Sequence, residues 1–445
     1  MNKILKSIFA TVVVLATTAC SSNEPDLPEN PDKPDNIEAS STDVIYQANP
    51  RFFGENECLN GITAQLPRIS EMGCDILWIM PIYEPGELKA GGSPYCIRNF
   101  KALNPRYGTM DDFKQLVNTA HAKGMKVMLD WIANHTAWDC PWITEHPDWY
   151  QKDANGEIMS PTLGWLDVAQ LKVDNPEVQA AMKEAMMFWV DQFSIDGYRC
   201  DYADGVPHEF WSSVIKELRA KNPDFIMLAE SGNPTYFADG FDMIYDWDCA
   251  STISKAFNGT HASNIIKEAT EAFDKVPEGK SMLRFVFNHD TASENNVATM
   301  FGTPEGVRGA YVLVSMLNGK GTPMIYSSMD VEGLTGKLSF FDYRPLDFST
   351  ALSDEYKAIN NAFIESSKVR SGSLADYSTK DVAIFTRSIT GHTLFVAVNT
   401  SGEAQSFKSP IALTGTSMKN LITGVSSNVP LMIDLAPYGY TILMN

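Results

Sequence analysis

Four short segments each deliver a charged or hydrogen-bonding side chain directly after an apolar run. They are Asp130-Trp131-Ile132-Ala133-Asn134-His135, Gly197-Tyr198-Arg199-Cys200-Asp201, Leu228-Ala229-Glu230 and Phe287-Asn288-His289-Asp290. The preceding runs, 126–129, 193–195, 225–228 and 283–287, read as buried parallel strands. An ionised group beside a buried strand is costly unless it is paired or used. Carboxylates, a guanidinium and imidazoles at such positions can bring a nucleophile, a proton donor and the groups that orient them to one place.

The elements that must position these groups are legible from alternation. Candidate strands at 44–47, 76–81, 126–130, 195–201, 225–230, 243–246, 283–288 and 323–326 are separated by stretches of helical spacing such as 110–121 and 178–193. Eight such units predict an α/β fold, a (β/α)8 TIM barrel over residues 43–370, with the four polar segments on its C-terminal rim. An open doubly wound sheet would need a Gly-rich phosphate loop after its first strand, and the sequence has none there. Residues 136–172 are loop-like and carry Trp138, Trp142, Trp149 and Trp165, which predicts a short insertion (domain B) after strand three, hanging over the barrel mouth. Within it, Asp153-Ala154-Asn155-Gly156-Glu157 reads as a hairpin turn rather than the start of a calcium loop. Short alternating strands at 383–388, 393–399, 417–421 and 441–444 predict a C-terminal antiparallel β-sandwich domain over 371–445.

The chain has 445 residues and a formal net charge of −20. Such a surface repels phosphate backbones, so nucleic acid is not an expected partner. Lys3 and Lys6 precede an apolar stretch at 8–15, shorter than the roughly 20 residues a bilayer span needs. Thr17-Thr18-Ala19-Cys20 resembles a lipoprotein cleavage box, although Thr17 stands where Leu is usual. The expectation is a signal peptide over 1–19, lipidation of Cys20 and an acidic, Pro-rich tether over 20–42. Ser21 lacks the Asp that typically retains lipoproteins at the inner membrane, and the resemblance to Gram-negative lipoproteins implies an outer membrane lipoprotein on the cell surface or periplasmic face. Asn23-Glu24-Pro25-Asp26 resembles surface-export signals. The remaining cysteines form no CxxC pair, so zinc is not expected, while Cys96 and Cys140 lie in rim loops where they could pair.

Taken together, the four segments resemble, in order, the four conserved regions of the α-amylase family, glycoside hydrolase family 13. Gly73-Cys74-Asp75-Ile76-Leu77-Trp78-Ile79-Met80-Pro81, Ser93-Pro94-Tyr95, Asn104-Pro105-Arg106-Tyr107-Gly108-Thr109 and Gly321-Thr322-Pro323-Met324-Ile325-Tyr326 fit the same pattern. The resemblance implies retaining cleavage of α-glucosidic bonds, most plausibly the α-1,4 bonds of starch or maltodextrin. It makes Asp201 the nucleophile, Glu230 the acid/base and Asp290 the stabiliser of an oxocarbenium-like transition state. Arg199 would orient Asp201 and pair with Asp130; His135 and His289 would hydrogen-bond the sugar, with Tyr95 stacked beneath it. Retention needs carboxyls roughly 5–5.5 Å apart, and neighbouring strands about 4.8 Å apart suit that. Asp201 beside Glu230 is expected to raise the pKa of the acid. Alternatives are a transglycosylase or isomerase of the same family, or a surface glycan-binding lipoprotein without turnover. Implied partners are an α-glucan, a membrane through the lipid anchor, and other glycan-binding surface proteins.

The same resemblance points to a calcium site and to its loss. Its ligands in the family correspond here to Asn134, Gln170 and the carbonyl of Gly205. Gln170 replaces the anionic ligand a hard cation prefers, so neither calcium at this site nor any other cofactor is expected unless Asp167 or Asp174 turns inward. Asn99 stands in the Tyr95 loop where an Asp is common, which is expected to alter the charge of the pocket.

Overall fold

The protein is described by a computed structural model covering residues 41–161 and 164–445. The signal segment, Cys20 and nearly all of the tether lie outside the described residues. Eight parallel strands close into a barrel: β1 (Ile45–Ala48), β2 (Ile76–Ile79), β3 (Lys126–Ile132), β4 (Gly197–Asp201), β5 (Ile226–Ala229), β6 (Met243–Tyr245), β7 (Ser281–Phe285) and β8 (Gly321–Tyr326). Each pairs with its neighbours in chain order, and β1 closes on β8 through Ile45 opposite Met324. All eight expected strands are present, with ends shifted by up to a few residues.

Alternation along each strand divides the core in two. Ile45, Ile76, Trp78, Met128, Leu228, Tyr245, Leu283, Phe285 and Met324 fill the barrel. Their neighbours, among them Tyr46, Leu77, Val127, Tyr198 and Ile244, face the helices and join the larger cluster outside. Two of those helices show why they start where they do. Helix Met110–Ala122 opens with a reciprocal cap between Thr109 and Asp112. Helix Pro176–Phe193 opens with Asn175 as cap and Pro176 at its first position, and it buries Val178, Met182, Ala185, Met186 and Trp189 on one face. The crossover from β5 to β6 departs from the ideal barrel, carrying a single turn of helix at Tyr236–Asp239.

The insertion after β3 is pinned by a short antiparallel pair, His135–Ala137 with Val168–Gln170. Inside it, Trp142 stacks on Phe100 at 5.4 Å and Trp149 donates to Glu177. The 153–157 segment is a hairpin turn, with Lys152 bridged to Ile158 and Gly156 at φ 87°.

Beyond Arg370 the chain forms a six-stranded antiparallel sheet and a two-stranded sheet, Gln405–Lys408 with Met432–Leu435. Val382, Ile384, Phe395, Phe407 and Ile433 fill the space between the two sheets. Alternate residues of the larger sheet, including Phe385, Leu394 and Val396, join the core of the barrel domain. Buried Arg387 strengthens that join: its Nε donates to the carbonyl of Leu317 at the end of helix Pro304–Met316. Cys96 and Cys140 are both free thiols, so the contemplated pairing does not form; Cys96 instead lies against the Asp167 carboxylate at 3.2 Å.

Candidate active site

The C-terminal rim opens into a cavity of about 540 Å³ whose lining includes Tyr95, His135, Asp201, Glu230, His289 and Asp290. A larger depression of about 780 Å³ lies at the opposite end of the barrel, around Lys126, Asp242, Lys280 and Lys320, and holds none of the candidate catalytic or substrate-binding residues.

Strand register explains the convergence. Arg199 and Asp201 are two residues apart on β4 and share its inward face. Asp130 pairs opposite Arg199 across β3 and β4, while Cys200 pairs with Ala229, which places Asp201 and Glu230 side by side at the ends of β4 and β5. One guanidinium serves all three carboxylates. Arg199 Nη1 lies 2.8 Å from Asp130 Oδ1 and 2.9 Å from Asp201 Oδ1. Its Nη2 lies 2.9 Å from Glu230 Oε1, an ion-pair distance without hydrogen-bond alignment. The Arg199 Nε–H donates to the Tyr245 hydroxyl at 3.2 Å, and the guanidinium packs over the Trp78 ring.

Exposure separates the roles these acids can take. Asp130 is fully sealed, and its second oxygen accepts from Trp78 Nε1 and the Tyr95 hydroxyl. It therefore cannot touch a bound molecule and serves Arg199. Side-chain exposure is 13% at Asp201, 20% at Glu230 and 41% at Asp290, so these three face the cavity. Burial drives the inner carboxyls upward against the pull of Arg199: Asp201 reaches about 6 and Glu230 about 8, the latter also raised by Asp201 and Asp290. The neighbouring charge named from sequence thus contributes, but desolvation is the larger cause.

The histidines are fixed and neutral. Burial lowers both His135 and His289 to about 4. His289 is gripped at Nδ1 by the Gln47 amide (2.9 Å) and at Nε2 by the Tyr95 hydroxyl (2.8 Å), and the Tyr95 ring stacks on it at 5.4 Å. The Tyr95 hydroxyl also reaches Asp130, so one chain of contacts runs from His289 to the buried ion pair.

Of the four insertion tryptophans expected over the barrel mouth, Trp165 lines the cavity, whereas Tyr202, Asp204, Trp247, Phe340 and Phe341 were not singled out from sequence. Trp165, from the insertion, packs its edge against Tyr202 at 5.1 Å and lies 5.8 Å from the His135 ring. Phe340 and Phe341, stacked on each other at 4.6 Å in the loop after β8, also line the cavity. Asp204 and Trp247 also line the cavity, Asp204 accepting from Ser231 Oγ at 2.9 Å. Asn99 is not in the cavity. It is exposed on the hairpin that pairs Tyr83–Pro85 with Ile97–Leu103, so it does not set the charge of the pocket.

Near the insertion, Gln170 Nε2 lies among three carbonyl oxygens: Asn134 O at 3.0 Å, Asn134 Oδ1 at 2.9 Å and Leu171 O at 3.0 Å. Gly205 closes the other side, where a Cβ would fall 2.5 Å from the Tyr202 ring and 2.7 Å from Asn134 Oδ1. Asp174 is exposed and Asp167 points to Cys96 and the cavity. No cluster of three His, Cys, Asp or Glu side chains suited to a metal occurs among the described residues.

Comparison with known proteins places this geometry. The alpha amylase catalytic-domain family model matches residues 38–158 and 162–370. A maltogenic alpha-amylase of Bacillus acidopullulyticus is 28% identical over 309 residues, covering 64% of this chain and 50% of that protein. A cyclomaltodextrinase of Geobacillus thermopakistaniensis is 24% identical over 436 residues, covering 88% and 70%. The chain thus spans about half the length of the first of these relatives. A solved alpha-amylase from Lactobacillus plantarum superposes with a TM-score of 0.79 at 27% identity, covering 91% of this chain and 99% of that one.

Proposed function

The chain belongs to the α-amylase family, and from that membership and the cavity geometry we propose that it is a retaining glycosidase that cleaves α-glucosidic bonds, α-1,4 bonds of starch or maltodextrin above all. The observation that carries the reading is the placement of Asp201 and Glu230 on adjacent strands, both against one buried guanidinium and both facing the cavity. Asp201, held ionised by Arg199, attacks the anomeric carbon. Glu230 protonates the departing oxygen, then takes a proton from the water that releases the glycosyl-enzyme ester. Asp290, the most exposed of the three acids, faces the positive charge that builds on the sugar ring. His135 and His289, both neutral, hydrogen-bond sugar hydroxyls, and Tyr95 supplies a ring beneath the sugar.

The residues around Asn134 do not fit a calcium ion. The Gln170 amide already supplies donors to the carbonyl oxygens a cation would need, and its own oxygen is uncharged.

The aromatic wall of Trp165, Tyr202, Phe340 and Phe341 favours a second sugar over water as acceptor, which supports transfer alongside hydrolysis. The N-terminal segment supports anchoring: Cys20 carries lipid and the 20–42 tether holds the enzyme off an outer membrane, where other glycan-binding surface proteins could share its substrate. The deciding experiment incubates the protein with a chromogenic maltooligosaccharide and follows products over time. Release of chromophore with α-configured sugar products is expected. Binding without turnover would reduce the protein to a glycan-binding subunit.

A further inference from the structure

Beside the catalytic cavity, the flank of the barrel carries a second groove of about 470 Å³, between helix Trp247–Phe257 and the segment that follows helix His289–Glu294. Its size falls within the roughly 300–1,000 Å³ of small-molecule sites. The groove and the cavity adjoin: Trp247 lines both, and Thr291 of the groove directly follows Asp290 of the cavity.

The chemistry of this lining is unlike that of the other depressions. No Asp, Glu, Lys or Arg lines it; Ser251, Ser254, Asn258, Asn295 and Thr299 supply hydroxyls and amides, with Trp247 as the aromatic surface. By contrast, the 780 Å³ depression is crossed by Arg219 and Lys280 pairing with Asp242. The groove residues are held in place. Asn258 Nδ2 donates to the carbonyls of Ser254 (2.8 Å) and Met300 (3.1 Å), and Asn295 Nδ2 donates to that of Thr291 (2.9 Å). Each amide oxygen remains an acceptor. Trp247 is braced by Tyr245 at 5.0 Å and by the edge of Phe285 at 5.2 Å, so its indole is a rigid platform.

An uncharged surface with one fixed indole and several hydroxyls and amides suits a neutral polyhydroxylated ligand with apolar ring faces. We propose that this groove binds the part of an α-glucan chain that leaves the catalytic cavity over Trp247, and so makes the enzyme prefer long chains. The inference rests on the α-glucan reading of the cavity and adds a second contact region to it.

Ser254→Trp and, separately, Ser251→Trp fill the groove with an indole at positions that do not line the catalytic cavity. The readout is kcat/KM for maltoheptaose divided by kcat/KM for a two-glucose chromogenic glycoside. This ratio should fall about tenfold in each variant, equivalent to about 1.4 kcal/mol. An unchanged ratio in both variants, with circular dichroism and melting temperature unaltered, overturns the proposal and leaves the hydrolase reading standing. Equilibrium binding of maltoheptaose to Asp201→Asn protein, with and without Ser254→Trp, decides the groove independently of turnover. A tenfold loss of affinity supports it, and equal affinity overturns it. Absence of turnover in the unaltered protein overturns the hydrolase reading instead.

Discussion

The backbone N–H of Tyr202 donates to Glu230 Oε2 at 2.7 Å, from a left-handed backbone at φ 40°, ψ 56°. An aromatic residue held in that region costs about 1–3 kcal/mol, so the turn after the Asp201 strand gives up stability and aims an amide at the neighbouring acid. With Asp201 near 6 and Glu230 near 8, kcat/KM should follow a bell. Activity rises as Asp201 ionises through about pH 6 and falls as Glu230 loses its proton through about pH 8. In Asp201→Asn protein a like charge is gone, so Glu230 should titrate lower, as read by carboxyl infrared or NMR signals. A shift upward would contradict the coupling.

Glu230 also makes a stability prediction. Its pKa is raised in the folded state from an ordinary 4.5, so the favourable contribution present below pH 4.5 is lost as pH rises to about 8. Glu230→Gln removes that ionisation while an amide oxygen can still accept from Tyr202. The melting temperature of the variant relative to the parent should therefore be higher at pH 9 than at pH 5. Turnover should fall by about 10²–10⁴ on substrates with poor leaving groups and less on activated ones.

Asp201→Asn keeps the shape of the side chain and an acceptor for Arg199 but removes the proposed nucleophile. Turnover should drop on the order of 10³-fold or more, while maltooligosaccharide binding and the far-ultraviolet dichroism persist. Near-native activity in this variant would sink the covalent mechanism.

The barrel was legible because apolar runs alternate with stretches of helical spacing, and four of those runs end in polar residues, a pattern that survives without any knowledge of contacts. The same property exposed Asp130, Arg199, Asp201, Glu230 and Asp290, and the structure gathers Asp201, Glu230, Asp290, Tyr95, His135 and His289 around one cavity with Arg199 beneath them. What stayed hidden depends on loops. Trp247, Phe340 and Phe341 have the hydropathy of core residues, and only the folded loops show that they form cavity walls. The Phe340-Phe341 pair in an otherwise polar stretch was a signal that could have been read. Asn99 was misplaced because facing in a hairpin is set by register, and the pairing of Glu84 with Asn99 turns it to solvent. The missing anionic ligand at Gln170 was readable, but not that its amide would grip Asn134.

Labelled fatty acid should be incorporated into the protein, and Cys20→Ala should yield a soluble or unprocessed form. A product secreted freely with Cys20 intact and unlipidated would remove the tether from the account.

The Gln170 contacts give a gain-of-metal prediction as well as a loss. In the unaltered protein a chelator should leave melting temperature and activity nearly unchanged, since an amide nitrogen already satisfies Asn134 and Leu171. Gln170→Glu changes that nitrogen to oxygen at nearly constant size and sets a carboxylate against three carbonyl oxygens. Without metal those dipoles repel the new charge, and the melting temperature should fall. With metal, the same oxygens become the ligand set a hard cation prefers. Calcium at 100 times its dissociation constant would return about 2.7 kcal/mol, which in a protein of this size is a rise of a few degrees. The two melting curves should therefore cross: calcium stabilises Gln170→Glu and does nothing for the parent. A parent protein that loses several degrees to chelator and regains them with calcium would show that a cation, not the Gln170 amide, holds the insertion to the barrel.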